Sequence, residues 1–112
     1  MDESILTSIK KMLGIAENDE SFDPDILMHI NSVLFVLCQL GVGPDTAYSI
    51  EDSGTSWSDY LGEDLTNFEA VKTYIYLRVR LLFDPPTNGS VLSAIERQIA
   101  EYEWRLNIQA ES

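Results

Sequence analysis

The chain has 112 residues, an ordinary apolar content and a formal net charge of -12, which predicts one domain, residues 1–112, with a modest core. Such an acidic surface repels phosphate backbones and anionic headgroups, so it disfavours ordinary nucleic-acid binding and membrane binding. The sequence has no basic leader, no apolar run long enough for a membrane span and one cysteine, and we therefore expect synthesis in a reducing cytoplasm.

The first half of the chain predicts two helices. Apolar residues recur at helical spacing over residues 2–13, and Gly14 predicts the end of this helix. An acidic linker leads to a second helix over residues 23–40, with Asp23 as its cap. This second helix is apolar on most of its circumference, and Phe35 lies on the side away from its main stripe. We therefore expect the helix to be central or to have a second partner.

Residues 41–64 predict a long irregular connection, because glycines and a proline interrupt the helical pattern. Residues 47–50 fit a short extended piece, and residues 56–61 fit one helical turn. Loops of this length in compact domains are usually functional or mobile. Trp57 and Tyr60, which belong to this segment, are therefore candidate contact residues.

The second half predicts two more helices, over residues 65–83 and 90–108. The sequence Asp-Pro-Pro ends the first of them, because proline lacks a donor and restricts the residue before it; Ser90 is the expected cap of the second. Arg78 lies inside an apolar arc, so it either snorkels to the surface or pairs with a carboxylate, and a pair within the chain is slightly preferred. The predicted fold is all-α, a small bundle of four main helices with a long irregular loop between helices 2 and 3.

Trp104 indicates a partner, because the core stripe of the last helix is complete without it. That stripe occupies an arc of about 80° on a helical wheel, and Trp104 points almost directly away from it, with Ile108 beside it. Tryptophan, tyrosine and arginine are enriched in the cores of protein interfaces, so we interpret this face as an interface; burial of Trp104 under the long loop is the alternative. The candidate interface residues are Phe35, Trp57, Tyr60, Tyr76, Arg78, Arg80, Arg97, Trp104, Arg105 and Ile108.

Catalytic and metal-binding patterns are missing from the sequence. His29 and Cys38 lie nine residues apart, so on one helix their side chains point about 180° apart, which excludes a catalytic dyad. No phosphate loop, zinc motif or nucleophile elbow occurs, and residues 17–25 lack the central glycine and final glutamate of a calcium loop. Carboxylates are abundant, but no motif places two of them together for hydrolysis. We therefore expect no enzyme, no cofactor and no bound metal.

Six stretches of sequence, in their order and spacing, resemble the head–tail connector (adaptor) family of tailed bacteriophages and prophages. They are "ILTSIKKMLGI", "FDPDILMHIN", "QLGVGP", "WSDYL", "VKTYIYLRVRLLFDPP" and "IERQIAEYEWRLN". The resemblance covers nearly the whole chain. Its specificity comes from the order of the stretches, because none of them is diagnostic alone.

This resemblance implies a structural virion protein of the phage neck, made in the host cytoplasm before assembly. Such subunits form a ring, typically twelve-fold, beneath the portal protein. The ring extends the channel for DNA packaging and ejection, and it offers a platform for stopper or tail-completion proteins. The C-terminal helix of such adaptors often meets the portal, which would correspond to residues 101–112 here. DNA would pass without specific binding, since an acidic lumen has few cations to hold phosphates.

An acidic DNA mimic that inhibits a host DNA-binding enzyme is the alternative function. Such a mimic needs carboxylates in duplex-like rows on its surface. Many acids lie instead in the linker at residues 17–25 and in the loop at residues 51–64. The connector is therefore the preferred interpretation.

Overall fold

The structure is a computed structural model that describes residues 3–44, 48–62 and 68–111. Those residues form five helices, which confirms the predicted all-α fold. The helices are α1 (Ile5–Leu13), α2 (Asp23–Gln39), α3 (Trp57–Leu61), α4 (Phe68–Phe83) and α5 (Gly89–Glu111). Within the same residues, β structure is limited to one isolated antiparallel bridge between Ser4 and Ser56, and none of the helices is long and apolar enough to cross a bilayer.

The helix α4 is central, because it packs against α1, α2 and α5. Its two flanks have different neighbours. The Tyr74 hydroxyl donates to Glu103 on α5, whereas Phe83 meets Phe22, at the start of α2, edge-on with ring centroids 5.3 Å apart. Tyr74 and Phe83 point about 180° apart, since successive helical residues turn by about 100°. α4 therefore contacts α5 and the start of α2 through different flanks, and the C-terminal ends of α2 and α5 meet, because the Asn107 side chain donates to the Leu40 carbonyl at 3.2 Å.

The core is a single cluster of buried apolar side chains drawn from all five helices and from the connection before α3. Each large side chain removed from water contributes about 1.5–3 kcal/mol to folding. The buried apolar residues are Ile5, Leu6, Ile9, Ile26, Ile30, Val33, Leu34, Leu37, Val42, Ile50, Trp57, Tyr60, Val71, Tyr74, Ile75, Leu77, Val79, Ile95, Ile99 and Leu106.

The bridge between Ser4 and Ser56 joins the start of α1 to the start of α3 through two backbone hydrogen bonds of 3.0 and 3.2 Å. Each serine also caps its own helix. The Ser4 hydroxyl accepts an amide of α1, and the Ser56 hydroxyl accepts one of α3, where Asp59 completes a capping box. The helical turn predicted at residues 56–61 is thus present as α3, and the bridge holds it against α1.

The short helix α3 turns its aromatic residues into the core. Trp57 is 1% exposed and Tyr60 is 3% exposed. The Trp57 indole donates from Nε1 to the Ser8 hydroxyl at 2.9 Å, and its ring meets Phe68 edge-on with centroids 5.4 Å apart. We therefore correct the predicted role of Trp57 and Tyr60: they belong to the core of the subunit, and their side chains are not part of the exposed surface.

Lys10 is almost fully buried, with 3% of its surface exposed, and it ties the acidic linker to α1. Its Nζ donates to the backbone oxygens of Glu17 and Asp19 at 3.0 and 2.8 Å and lies 2.8 Å from Asp23 Oδ1. Two ammonium donors thus bind backbone oxygens, and Asp23 supplies the opposite charge. Asp23 therefore serves this ion pair and does not cap α2 as predicted; Phe22 takes the cap position without a side-chain hydrogen bond.

The start of α5 also differs from the prediction. The helix begins at Gly89, because the Asn88 side-chain oxygen accepts the Ser90 amide at 2.8 Å. Asn88, and not Ser90, is thus the residue whose side chain caps this helix. The helix continues to Glu111, three residues beyond the predicted end. Residues 45–47 and 63–67, which include part of the predicted extended piece and the predicted start of α4, lie outside the described residues.

Candidate interaction surface

The outward face of α5 carries an exposed aromatic and aliphatic stripe. Arg97, Glu101, Trp104 and Ile108 follow the spacing i, i+4, i+7 and i+11, which places them on one face of the helix. Trp104 is 65% exposed and Ile108 is 45% exposed, as expected for a helix whose core stripe is complete without them. We call these four residues the α5 stripe. Arg105 flanks the stripe and pairs with Glu101 at 2.9 Å, so the stripe and its flank are net positive.

The junction between α4 and α5 sets the rotation of α5. Arg78 Nη1 donates to Glu103 Oε2 at 2.8 Å, and the Tyr74 hydroxyl donates to the same oxygen at 2.7 Å. Burial, followed by the hydrogen bond to Glu103, raises the pKa of Tyr74 well above its usual value, so this hydroxyl remains a donor. Because Glu103 is held towards α4, the next residue, Trp104, is turned about 100° away from it. The ion pair within the chain that the sequence favours for Arg78 is thus present, with Glu103 as its partner.

The outward face of α2 carries a second stripe with the same spacing. It consists of Met28, Ser32, Phe35 and Gln39, and we call it the α2 stripe. Phe35 is 53% exposed, and Met28 is 58% exposed. From the sequence, both residues are expected on the side of α2 away from its main stripe, since they lie two helical turns apart, but only Phe35 is among the predicted interface residues.

A shallow groove runs beside the α2 stripe. Its floor includes Leu27 and Ile50, and Glu51 lies on its rim. The Asn31 carboxamide holds this part of the connection on α2, because it donates to the Ile50 carbonyl at 3.0 Å and accepts the Ile50 amide at 2.8 Å. The groove is therefore a built feature of the α2 surface, with apolar walls and an acidic rim.

Apart from the buried Trp57 and Tyr60, the predicted interface residues fall into three groups. Arg97, Trp104, Arg105 and Ile108 lie together on the outward side of α5, and Phe35 lies on α2. The third group is on α4, where Arg78 is used within the subunit, and Arg80 donates to the half-buried Tyr76 hydroxyl at 3.4 Å. Other large apolar side chains that are exposed and that the prediction omitted are Phe22, Leu82 and Val91.

Charge is distributed unevenly between the two stripes. All four arginines of the chain lie on α4 and α5, and the sequence between Met12 and Val71 contains no lysine or arginine. The α2 side, with Asp25 in its first turn and Glu51 at the groove, is therefore acidic. The subunit thus has an acidic apolar face on α2 and a more cationic apolar face on α5.

Among residues 3–44, 48–62 and 68–111, no group of three or more metal-ligating side chains comes together. His29 and Cys38 are both partly buried on α2. Among the described residues, the notable surface features are thus exposed apolar, aromatic and charged side chains, which suit contact with another macromolecule.

Comparison with protein families identifies the chain. The family model described as "Phage connector protein" matches residues 5–112, which confirms the resemblance seen in the sequence. Comparisons with curated proteins and with solved structures gave no match.

Proposed function

This chain belongs to the phage connector protein family, which indicates a structural connector role among the components of a virion, and from that premise we propose that it is a head–tail connector subunit. Its copies form a ring, expected to be twelve-fold, beneath the portal protein at the neck. The ring extends the DNA channel and receives a stopper or tail-completion protein. The outward faces of α2 and α5 supply the contacts that the ring and its neighbours need.

The observation that carries this proposal is the exposure of large apolar side chains on two sides of the subunit. Trp104, Met28 and Phe35 are each more than half exposed, although aromatic and large aliphatic side chains favour burial. Contiguous exposed apolar surface marks interaction sites in soluble proteins. A ring built from head-to-tail contacts uses two different faces of every subunit, and α2 and α5 offer such a pair.

The charge of the subunit fits passage of DNA without binding. Each subunit has a formal net charge of -12, so a ring would present few cations to trap phosphates. The arginine at the α4–α5 junction is engaged with Glu103 and adds little to any phosphate-binding surface. The proposed role therefore requires shape and charge and does not require catalysis.

Native mass spectrometry of the purified chain, alone and with the portal protein of the same virion, tests the proposal. We expect discrete rings, or a defined number of subunits on each portal, at about 150 mM salt. A chain that stays monomeric and does not bind the portal would contradict the connector role. If that monomer instead blocks a DNA-binding enzyme and salt relieves the block, the DNA-mimic alternative is favoured.

A further inference from the structure

We infer that the α5 stripe of one subunit docks on the α2 stripe and groove of a second copy of this chain. Such a contact presupposes the proposed connector function and specifies which two surfaces meet in the ring. Apolar side chains cover one another at its centre, while two arginines face two carboxylates at its edge. The facing groups are Trp104 and Ile108 with Met28 and Phe35, and Arg97 and Arg105 with Asp25 and Glu51.

The two stripes lie on two different helices, each on the face turned away from the core. α5 is held on α4 by the hydrogen bond from Tyr74 to Glu103, and its C-terminal part meets the end of α2, where Asn107 donates to the Leu40 carbonyl. Each stripe is centred about 180° from the buried stripe of its own helix, so both stripes face away from the core of the subunit. A contact between two different faces is heterologous, so each subunit offers its α5 stripe to one neighbour and its α2 stripe to another. It repeats from copy to copy and closes into a ring when the rotation between copies allows.

The stripes have matching dimensions. Each follows the i, i+4, i+7, i+11 spacing over three helical turns, a length of about 16 Å. Rows of this spacing are the ridges and grooves through which two helices pack. The large side chains of α2, Met28 and Phe35, stand one above the other and leave the small Ser32 between them. All three residues line the groove, so the proposed contact places the Trp104 indole over Ser32, between Met28 and Phe35.

Charge favours pairing α5 with α2 over pairing either stripe with itself. Two α5 stripes would bring Arg97 and Arg105 against their own copies, and two α2 faces would bring Asp25 and Glu51 against theirs. Like charges opposed across an interface weaken it, whereas complementary charges fix the partner and the register. Only the mixed pairing places the arginines of α5 near the face that has no cations.

Charge reversal on each face separately, followed by mixing, tests this contact. The first variant is Arg97→Glu with Arg105→Glu, and the second is Asp25→Lys with Glu51→Lys. All four side chains are exposed, so both variants should keep the thermal unfolding of the wild-type monomer. We expect each variant alone to need at least about tenfold more protein than wild type for half-assembly, because the reversed charges repel the unchanged ones. In an equimolar mixture every contact is again between opposite charges, so alternating rings should form at the wild-type concentration.

A control variant, Glu20→Lys with Glu96→Lys, changes the net charge as the second variant does but lies outside both stripes. We expect it to assemble at least as readily as wild type, measured by analytical ultracentrifugation and native mass spectrometry. Assembly of the second variant alone, with failure of the first, would overturn the inference in favour of an α5–α5 contact. Wild-type assembly by both variants, or a wild-type chain that binds the portal only as separate monomers, would overturn the inference and leave the connector role standing. Loss of both self-association and portal binding in wild type would overturn both.

Discussion

Alanine substitution at two glycines with the same φ distinguishes the cost of a left-handed backbone from the cost of a steric clash. Gly14 and Gly43 both have a φ of +82°, but a methyl group at Gly14 meets nothing within 4 Å, whereas at Gly43 it comes within 2.9 Å of the Tyr60 ring. We expect Gly14→Ala to lower the free energy of unfolding by about 1–2 kcal/mol, the cost of the left-handed conformation. Gly43→Ala should lower it by about 1–3 kcal/mol more, because the buried Tyr60 ring has to shift. Urea unfolding followed by circular dichroism measures both, and equal losses would contradict the predicted clash.

The two tryptophans show where the sequence predicts correctly whether a side chain is exposed or buried. Trp104 lies in a long regular helix, so its direction follows from the position of the core stripe and the helical repeat. Trp57 lies in a five-residue helix after an irregular segment, where no periodicity indicates a direction. Its buried indole donates a hydrogen bond to Ser8, which is 49 residues away in sequence. Local sequence patterns do not indicate a contact between residues so far apart. The sequence therefore predicts an interface role for Trp57, whereas the structure shows a buried side chain.

At the scale of the helix, truncating the exposed stripe of α5 should prevent ring assembly without lowering the stability of the monomer. Trp104→Ala with Ile108→Ala removes two exposed side chains of its outward stripe, so we expect the free energy of unfolding of the monomer to change by less than about 1 kcal/mol. The same variant should lose ring formation, because its apolar contact surface is gone. Leu106→Ala is the matched control: Leu106 is 3% exposed on the opposite face, and its truncation should cost about 2–5 kcal/mol. A loss of that size in the double variant would instead show that Trp104 and Ile108 support the fold of their own subunit.

The helix interiors were predictable and the helix ends were not. Apolar periodicity over a long helix such as α4 reports burial directly, and the proline pair after Phe83 marks where α4 ends. The ends of α2 and α5 depend on which of several polar residues finds an amide. Asp23 pairs with the buried Lys10, and the Asn88 side chain, in place of that of Ser90, accepts an amide of α5. Asn, Asp and Ser are nearly equivalent as caps, so tertiary contacts decide between them.

At the scale of the whole subunit, net charge opposes every contact between copies. A charge of -12 on a body measuring 37 × 35 × 23 Å acts over the full width of a neighbour at low salt. The screening length is about 30 Å at 0.01 M salt and about 8 Å at 0.15 M. Groups in direct contact, such as the proposed arginine–carboxylate pairs, are screened much less than charges on distant parts of the two subunits. Added salt should therefore remove more repulsion than attraction.

We accordingly expect self-association to strengthen between about 0.01 and 0.15 M salt, with the concentration for half-assembly falling in sedimentation velocity experiments. The Glu20→Lys, Glu96→Lys variant is the control, because its smaller net charge should make assembly less dependent on salt while its stripes stay intact. Truncation of Trp104 and Ile108 should abolish assembly at every salt concentration, since screening cannot replace apolar contact. Weaker assembly of wild type as salt rises over this range would mean that the facing ion pairs outweigh the charge of the whole subunit, and that arginine–carboxylate attraction, more than apolar burial, holds the copies together.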